Sequence, residues 1–255
     1  MNETNESTRD RVLSFLEQNR PEYISGERMA RRLGLSRNAV WKAVNELRAA
    51  GYDVDAVRNR GYCLGARSDI LSVQGIAPLL EGPAREADIR LFASIESTNR
   101  TAKELAAAGT PHGTVIMAKS QTGGRGHNGA SFASPDGGIY LSVILDPERL
   151  GPAEPARLSA RSAVCVCRAL EELTGLPLSI RLVTDIFWEE KKICGILNEA
   201  AFDLETGSLQ WLVAGVGLPS CLGCGKNRLA AAILNRLLAD AGGEEMLAYY
   251  KAHHK

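Results

Sequence analysis

Apolar positions recur at helical spacing through the first fifty residues and at strand spacing through much of the remaining chain. Val12, Leu13, Phe15 and Leu16 make one apolar face behind Thr8, which is placed to cap a first helix. Ser25 can cap a short second helix with Met29, Ala30 and Leu33 inward, and Gly34 breaks it. Ser36 caps a third, where Ala39, Val40, Ala43, Val44 and Leu47 keep 3-4 spacing. Residues 52–62 read as two short strands about the turn Arg58-Asn59-Arg60-Gly61. Two helices joined by a tight glycine turn, followed by such a hairpin, predict a winged helix-turn-helix over residues 1–65.

Residues 66–88, rich in Gly, Pro and Ala, read as a linker holding a short helix near Val73–Leu80. Beyond it the pattern predicts strands at 89–93, 114–118, 139–145, 179–182, 192–199 and 211–217. Helices are expected at 97–108 and 155–174, and a single last one from Asn227 to Lys255. Together these predict an α+β domain over 89–255, a mixed, largely antiparallel sheet with helices packed on one face.

Composition narrows the function classes. The chain has 255 residues, 45% of them hydrophobic, and zero formal net charge, ordinary material for two soluble domains. No apolar run reaches the roughly 18 residues a spanning helix needs, and no secretory signal opens the chain, so a cytoplasmic protein without membrane contact is expected. Cys221 and Cys224 form a lone CxxC without a second pair nearby; reduced cysteines fit better than a metal site, and no metal ligands are assigned. The charge is unevenly placed. Between Arg28 and Arg48 stand six basic residues against one acidic, an electrostatic footprint for a phosphate backbone. On the third helix Arg37, Asn38, Trp41 and Lys42 face outward near its N-terminal end, with Ser36, to reach operator DNA. Arg31, Arg32 and Arg48 suit phosphates, and Arg58 and Arg60 of the wing suit a neighbouring groove. The alternatives are a solvated helix face or a module kept for protein contacts.

Between Lys119 and Leu145 a glycine-rich loop with one central arginine, Arg125, runs into an apolar strand. Such glycines let backbone N–H groups approach a ligand, and a guanidinium suits carboxylate or phosphate. A mobile linker would lack the flanking β-type runs, so a loop closing over an anionic or activated small molecule is expected.

This segment resembles the signature loop of the biotin–protein ligases. Gln121, Gly124, Arg125, Gly126 and Gly129 stand in register, as do Ser134, Pro135 and Gly137. Upstream, Glu96-Ser97-Thr98-Asn99 resembles the turn that opens the biotin site; downstream, Lys192 to Glu199 resembles K-x-x-G-I-L-x-E. The resemblance implies activation of biotin by ATP, with Mg²⁺, to biotinyl-adenylate, and transfer to a lysine of a biotin carboxyl carrier protein domain. It implies that Ser97, Thr98, Asn99 and Gln121 hold the biotin head, and that Gly124, Arg125, Gly126 and His127 wrap its acid end. Arg181, Lys192, Gly195 and Gly215 fall in the same site, with Arg125, Arg181 and Lys192 in catalysis. For Ser97 and Thr98 helix capping is the other reading. The bifunctional members also repress transcription as ligand-promoted homodimers on an operator.

Departures from the family's pattern fall in the chemistry. Its second loop arginine is His127 here, its third Ala130 and its tryptophan Phe132. K-W-P-N-D is Arg181-Leu182-Val183-Thr184-Asp185, and G-x-G-I-N ends in Leu218-Pro219. The sequence also stops where the family continues into a small β-barrel. Three readings stand: a ligase–repressor, a ligase-derived regulator that binds biotin or a related acid without turnover, and a plain winged-helix repressor whose second domain dimerises.

Overall fold

The structure, a computed structural model, describes residues 6–150, 155–203, 205–220, 222–239 and 244–254. It divides into two compact units, Met1–Leu79 and Leu80–Lys255.

In the first unit α1 spans Thr8–Gln18, α2 Gly26–Leu33 and α3 Arg37–Ala49. Ser7, not Thr8, caps α1, its side chain accepting from Asp10 N at 3.1 Å; both hydroxyls precede the same apolar face, so sequence alone leaves the choice open. Ser25 and Ser36 cap α2 and α3 through Arg28 N and Ala39 N, each at 3.1 Å. Val12, Leu13, Leu16, Met29, Val40, Val44 and Leu47 are buried together, each such side chain contributing about 1.5–3 kcal/mol relative to exposure. Strands β1 (Val54–Val57) and β2 (Gly61–Leu64) pair antiparallel as the wing. Ile24 and Tyr62 exchange both backbone hydrogen bonds, at 2.8 and 2.9 Å. A side chain at Gly61, where φ is +103°, would sit 2.0 Å from the Ile24 carbonyl oxygen, so this corner requires glycine. The segment expected as a linker is not bare chain: Arg20 donates to Ser68 O at 3.0 Å, and α4 (Val73–Ile76) packs against α1.

In the second unit the chain forms β3 (Asp88–Phe92), α5 (Thr98–Ala107), β4 (Thr114–Ala118), β5 (Ile139–Leu145), α6 (Pro155–Thr174), β6 (Leu178–Arg181), β7 (Asp185–Trp188), β8 (Lys191–Phe202), β9 (Leu209–Leu218), α7 (Lys226–Leu238) and α8 (Glu244–His253). Seven strands make one sheet in the order β3-β4-β5-β9-β8-β7-β6, with β3 and β4 parallel and every other pair antiparallel. Register separates its faces. Ser142, Gly215 and Leu197 lie in one row across β5, β9 and β8, beneath α5. Val143, Ala214 and Asn198 lie in the next, where Asn198 reaches Leu158 of α6. The long helices α6 and α7 thus cover one face and α5 sits on the other, whereas helices on a single face were expected. β5 is buried at every position for that reason.

Two sequence expectations need correction. β7 was not anticipated, because the turn before it uses backbone conformations that its residues do not advertise. The single last helix is two: α7 ends at Leu238, Ala239 is extended, and α8 begins at Glu244. Gly242 and Gly243, poor helix formers, fall between them, outside the described residues. Among the described residues no helix is long and apolar enough to cross a membrane.

Candidate functional site

The pocket opens on the α5 side of the sheet. β8 and β9 form its floor, the start of α5 one wall, and the glycine loop its cover. The recess holds about 440 Å³ between atoms, open solvent included.

A chain of buried polar groups runs along the wall. Ser97 is extended, and its side chain caps α5. Capping leads the following residues inward. Gln121 Oε1 accepts from Thr98 N at 2.8 Å and from Thr98 Oγ1 at 3.1 Å, while Gln121 Nε2 donates to Ser134 Oγ at 2.8 Å. Ser142 donates to Asn99 Oδ1 at 2.6 Å and lies 2.8 Å from Thr98 Oγ1. Asn99 Nδ2 donates to Leu197 O at 3.1 Å and Glu199 Oε2 at 2.9 Å, and Glu199 pairs with Lys103 at 2.6 Å. Every member holds its neighbour's orientation, which keeps a polar wall rigid in a low-dielectric setting.

The floor is backbone by necessity. A Cβ at Gly215 would stand 1.9 Å from Asn99 Oδ1, and one at Gly195 or Gly217 would strike the Phe132 ring at 2.8 or 2.5 Å. A Cβ at Gly124 would stand 2.5 Å from the Phe132 carbonyl oxygen and 2.6 Å from the Ser134 hydroxyl. Phe132 is therefore part of the site, folded onto the glycines of β8 and β9.

Charge enters from two sides. Arg125 is exposed at the pocket, its Nη1 donating weakly to Gly129 O at 3.4 Å. Lys192 lies 2.6 Å from Asp185 Oδ2 and 5.9 Å from the centre of the Phe132 ring. Asp185 Oδ1 is buried without a hydrogen-bond partner. His127 Nε2 lies 2.8 Å from Thr184 Oγ1 and 3.0 Å from Ile196 O.

Ser97, Thr98, Asn99, Gln121, Arg125, Gly126, His127, Lys192, Gly195 and Gly215 thus line one pocket. Gly124 lies just behind it, under the loop. Arg181 does not reach it. Its guanidinium is held by Glu190 at 2.9 and 3.0 Å and by Glu189 O at 3.0 Å, and it stacks over Phe187 at 4.8 Å. A carboxylate in the adjoining hairpin matches a planar fork better than an open pocket does. Reading by residue type missed Ser142, which looks like one polar residue in an apolar strand; its two-residue offset from Ile144 toward α5 was the available signal. Asp185, Phe132 and Gly217 also line the pocket. Among the described residues no group of three or more His, Cys, Asp or Glu is placed to hold a metal ion. The CxxC reading falls on Cys221, outside the described residues.

In the first unit Arg37, Asn38 and Trp41 of α3 and Arg58 of the wing line one open groove, together with Asn59. Trp41 is 54% exposed. Arg31 and Arg32 of α2, Ser36 at the cap of α3 and Lys42 of α3 are exposed but outside the groove. Ser36 spends its hydroxyl on the cap, Arg31 pairs with Glu27 at 3.3 Å, and Arg60 stacks over Tyr23 at 4.2 Å. Arg48, expected at phosphates, instead donates to Val54 O at 2.9 Å, tying α3 to β1.

Fold and pocket together define a helix-turn-helix unit joined in one chain to a mixed-sheet unit with a polar, glycine-floored small-molecule site. An HTH domain model matches residues 8–63, and the biotin/lipoate A/B protein ligase family model matches residues 91–218. The chain belongs to the biotin/lipoate A/B protein ligase family. It is 35% identical over 198 residues to the bifunctional ligase/repressor BirA of Bacillus subtilis, covering 77% of this chain and 60% of that one. To the protein of the same name from Escherichia coli it is 30% identical over 198 residues, 77% and 59% of the two chains. The chain therefore spans about 60% of the length of these curated relatives. In fold it is similar to biotin acetyl coenzyme A carboxylase synthetase from Helicobacter pylori with bound biotinylated ATP, with TM-score 0.56, 20% identity, and 66% and 81% of the chains covered. Biotin protein ligase from Leishmania major in complex with biotin gives TM-score 0.55, 21% identity and the same coverage.

Proposed function

We propose that this chain binds biotin, activates it with ATP as biotinyl-adenylate, passes the acyl group to a lysine of a carrier domain, and represses transcription from an operator. One observation carries the ligand: a neutral polar wall (Thr98, Asn99 and Gln121, braced from behind by Ser142) shares a pocket with two cations, Arg125 and Lys192. That combination suits a small molecule with a polar uncharged head and an acid tail. The relatives are called ligase/repressors and the similar structures hold biotin or biotinylated ATP, which supports the same ligand.

In the activation step a carboxylate oxygen of biotin attacks the α-phosphorus of ATP, and the bond to pyrophosphate breaks. In the transfer step a lysine amine attacks the acyl carbon, AMP leaves, and the amine loses its proton. Arg125 and Lys192 supply fixed positive charge where phosphate charge builds, which is the main help such transfers need. The loop excludes water from the activated acyl group. Mg²⁺, when bound, neutralises phosphate charge. Asp185, the acid among the described pocket residues, has a buried unpartnered Oδ1 that fits one contact to it.

The second reading is a regulator that binds biotin or a related acid without turnover. Arg181 held by Glu190, and Lys192 paired with Asp185, favour it, since both reduce the positive charge offered to a phosphate. Incubating the protein with biotin, Mg-ATP and a carrier domain, then weighing the acceptor by mass spectrometry, separates the two. A biotinyl mass gain is expected; a thermal shift with biotin but no gain leaves the regulator. No heat on calorimetric titration with biotin or a biotinyl-adenylate mimic removes both.

A further inference from the structure

The turn between β6 and β7 is strained, and its own side chains gain nothing by it. Leu182 and Val183 take φ values of +49° and +73° in succession, a region that a β-branched residue rarely tolerates. Their side chains are 74% and 49% exposed, so burial does not impose the conformation. What the turn achieves is to drop the next two residues, Thr184 and Asp185, into the interior. Thr184 donates to Ile196 O at 2.8 Å, and Asp185 Oδ2 accepts from Lys192 Nζ at 2.6 Å. That pairing weakens the charge of Lys192 but fixes where it stands at the pocket. Strain kept beside such a group is an indicator of function.

The turn is gripped from outside the pocket, by α8. Tyr250 donates to Val183 O at 3.0 Å. Beside it the His254 backbone forms a parallel bridge to Ile180 of β6, and the Tyr250 and His254 rings meet at 5.0 Å. Tyr249, one position earlier, faces α6 instead. It donates to Glu171 and stacks on His253 at 3.9 Å, with the Arg168 guanidinium 4.6 Å over its ring. Two successive tyrosines thus divide the work: Tyr249 fastens α8 to α6, and Tyr250 reaches the turn.

We propose that Tyr250 is a positioning residue for the pocket: through Val183 it fixes Thr184 and Asp185, and through Asp185 it sets the Lys192 ammonium where phosphate charge builds. The placement stands on the geometry; its effect on adenylation rests on the ligase reading.

Tyr250→Phe in the full chain keeps the ring and removes one hydroxyl. Proton exchange at Lys192 Nζ, followed by nitrogen-15 NMR and assigned with Lys192→Arg, should rise several-fold, because those protons exchange only once the bond to Asp185 opens. Pyrophosphate release with biotin and Mg-ATP should fall about tenfold in kcat while KM for biotin stays at the parent's value, the mark of an interaction made in the transition state. A general loosening of the fold would move both constants. Unchanged exchange in Tyr250→Phe overturns the proposal, and so does raised exchange with kcat unaltered or with KM for biotin rising in step. If exchange rises but the parent releases no pyrophosphate, the placement stands and the ligase reading falls. If the parent turns over and exchange is unaltered, the role of Tyr250 falls alone.

Discussion

At the scale of single residues the site depends on what a side chain would displace. Gly215 has ordinary backbone angles, so alanine there meets no torsional penalty; its Cβ would overlap Asn99 Oδ1 instead. Gly215→Ala should push Asn99 from Leu197 and Glu199, lowering stability by about 1–3 kcal/mol. It should also abolish measurable biotin binding, checked by thermal melting and calorimetry. A variant that melts and binds like the parent would show that the floor does not position Asn99. His112 offers a pH test. Its Nδ1 accepts from Asp146 N at 3.0 Å, which requires a neutral ring, and burial, then Arg149, hold its pKa below 6.5. A depressed pKa means the unfolded chain takes up the proton first. Its contribution is therefore complete above 6.5 and lost as pH falls through the folded value. His112→Asn, which can still accept that bond, should flatten the fall in melting temperature between about pH 7 and 5. Arg181 marks the limit of reading residues singly. Its type and register matched a catalytic cation, yet Glu190 across the hairpin holds it, and no local pattern says which partner a guanidinium will choose.

At the scale of elements the helices were legible because serines, apolar spacing and glycine stops agree. The wing was legible because Asn59-Arg60-Gly61 allows the left-handed angles a tight turn needs. The β6–β7 hairpin was not, since Leu182 and Val183 are among the residues least expected in those angles, and contacts from α8 and Thr184 help to hold them. The exposed face of α3 supports a further prediction. Replacing Arg37 and Lys42 together by alanine should weaken DNA binding. It should also lower the slope of log affinity against log salt by up to about 2, each phosphate contact contributing roughly 0.9. Gel shifts at four salt concentrations measure this, and an unchanged slope would show that these residues touch no phosphates.

At the scale of the whole molecule the proposal joins two equilibria. If biotin and Mg-ATP stabilise a dimer that grips an operator, ligand and DNA must each tighten the other by the same factor. Gel shifts with and without biotin plus Mg-ATP, beside sedimentation of the protein alone, should show tighter DNA binding and a dimer under the same conditions. DNA affinity indifferent to ligand would mean that the two units act separately.

By itself the sequence determined the parts: a basic winged helix, a glycine loop with one arginine, and a run of apolar strands with helices to cover them. Those parts arise from propensity and periodicity, which act over a few residues. Tertiary structure decided which polar groups meet. Ser142 joins Asn99, Phe132 lies on the floor glycines, Arg181 turns to Glu190, and His127 finds Thr184 fifty-seven residues away. Such choices depend on register between distant strands and on competition among partners, and neither is written at any one position.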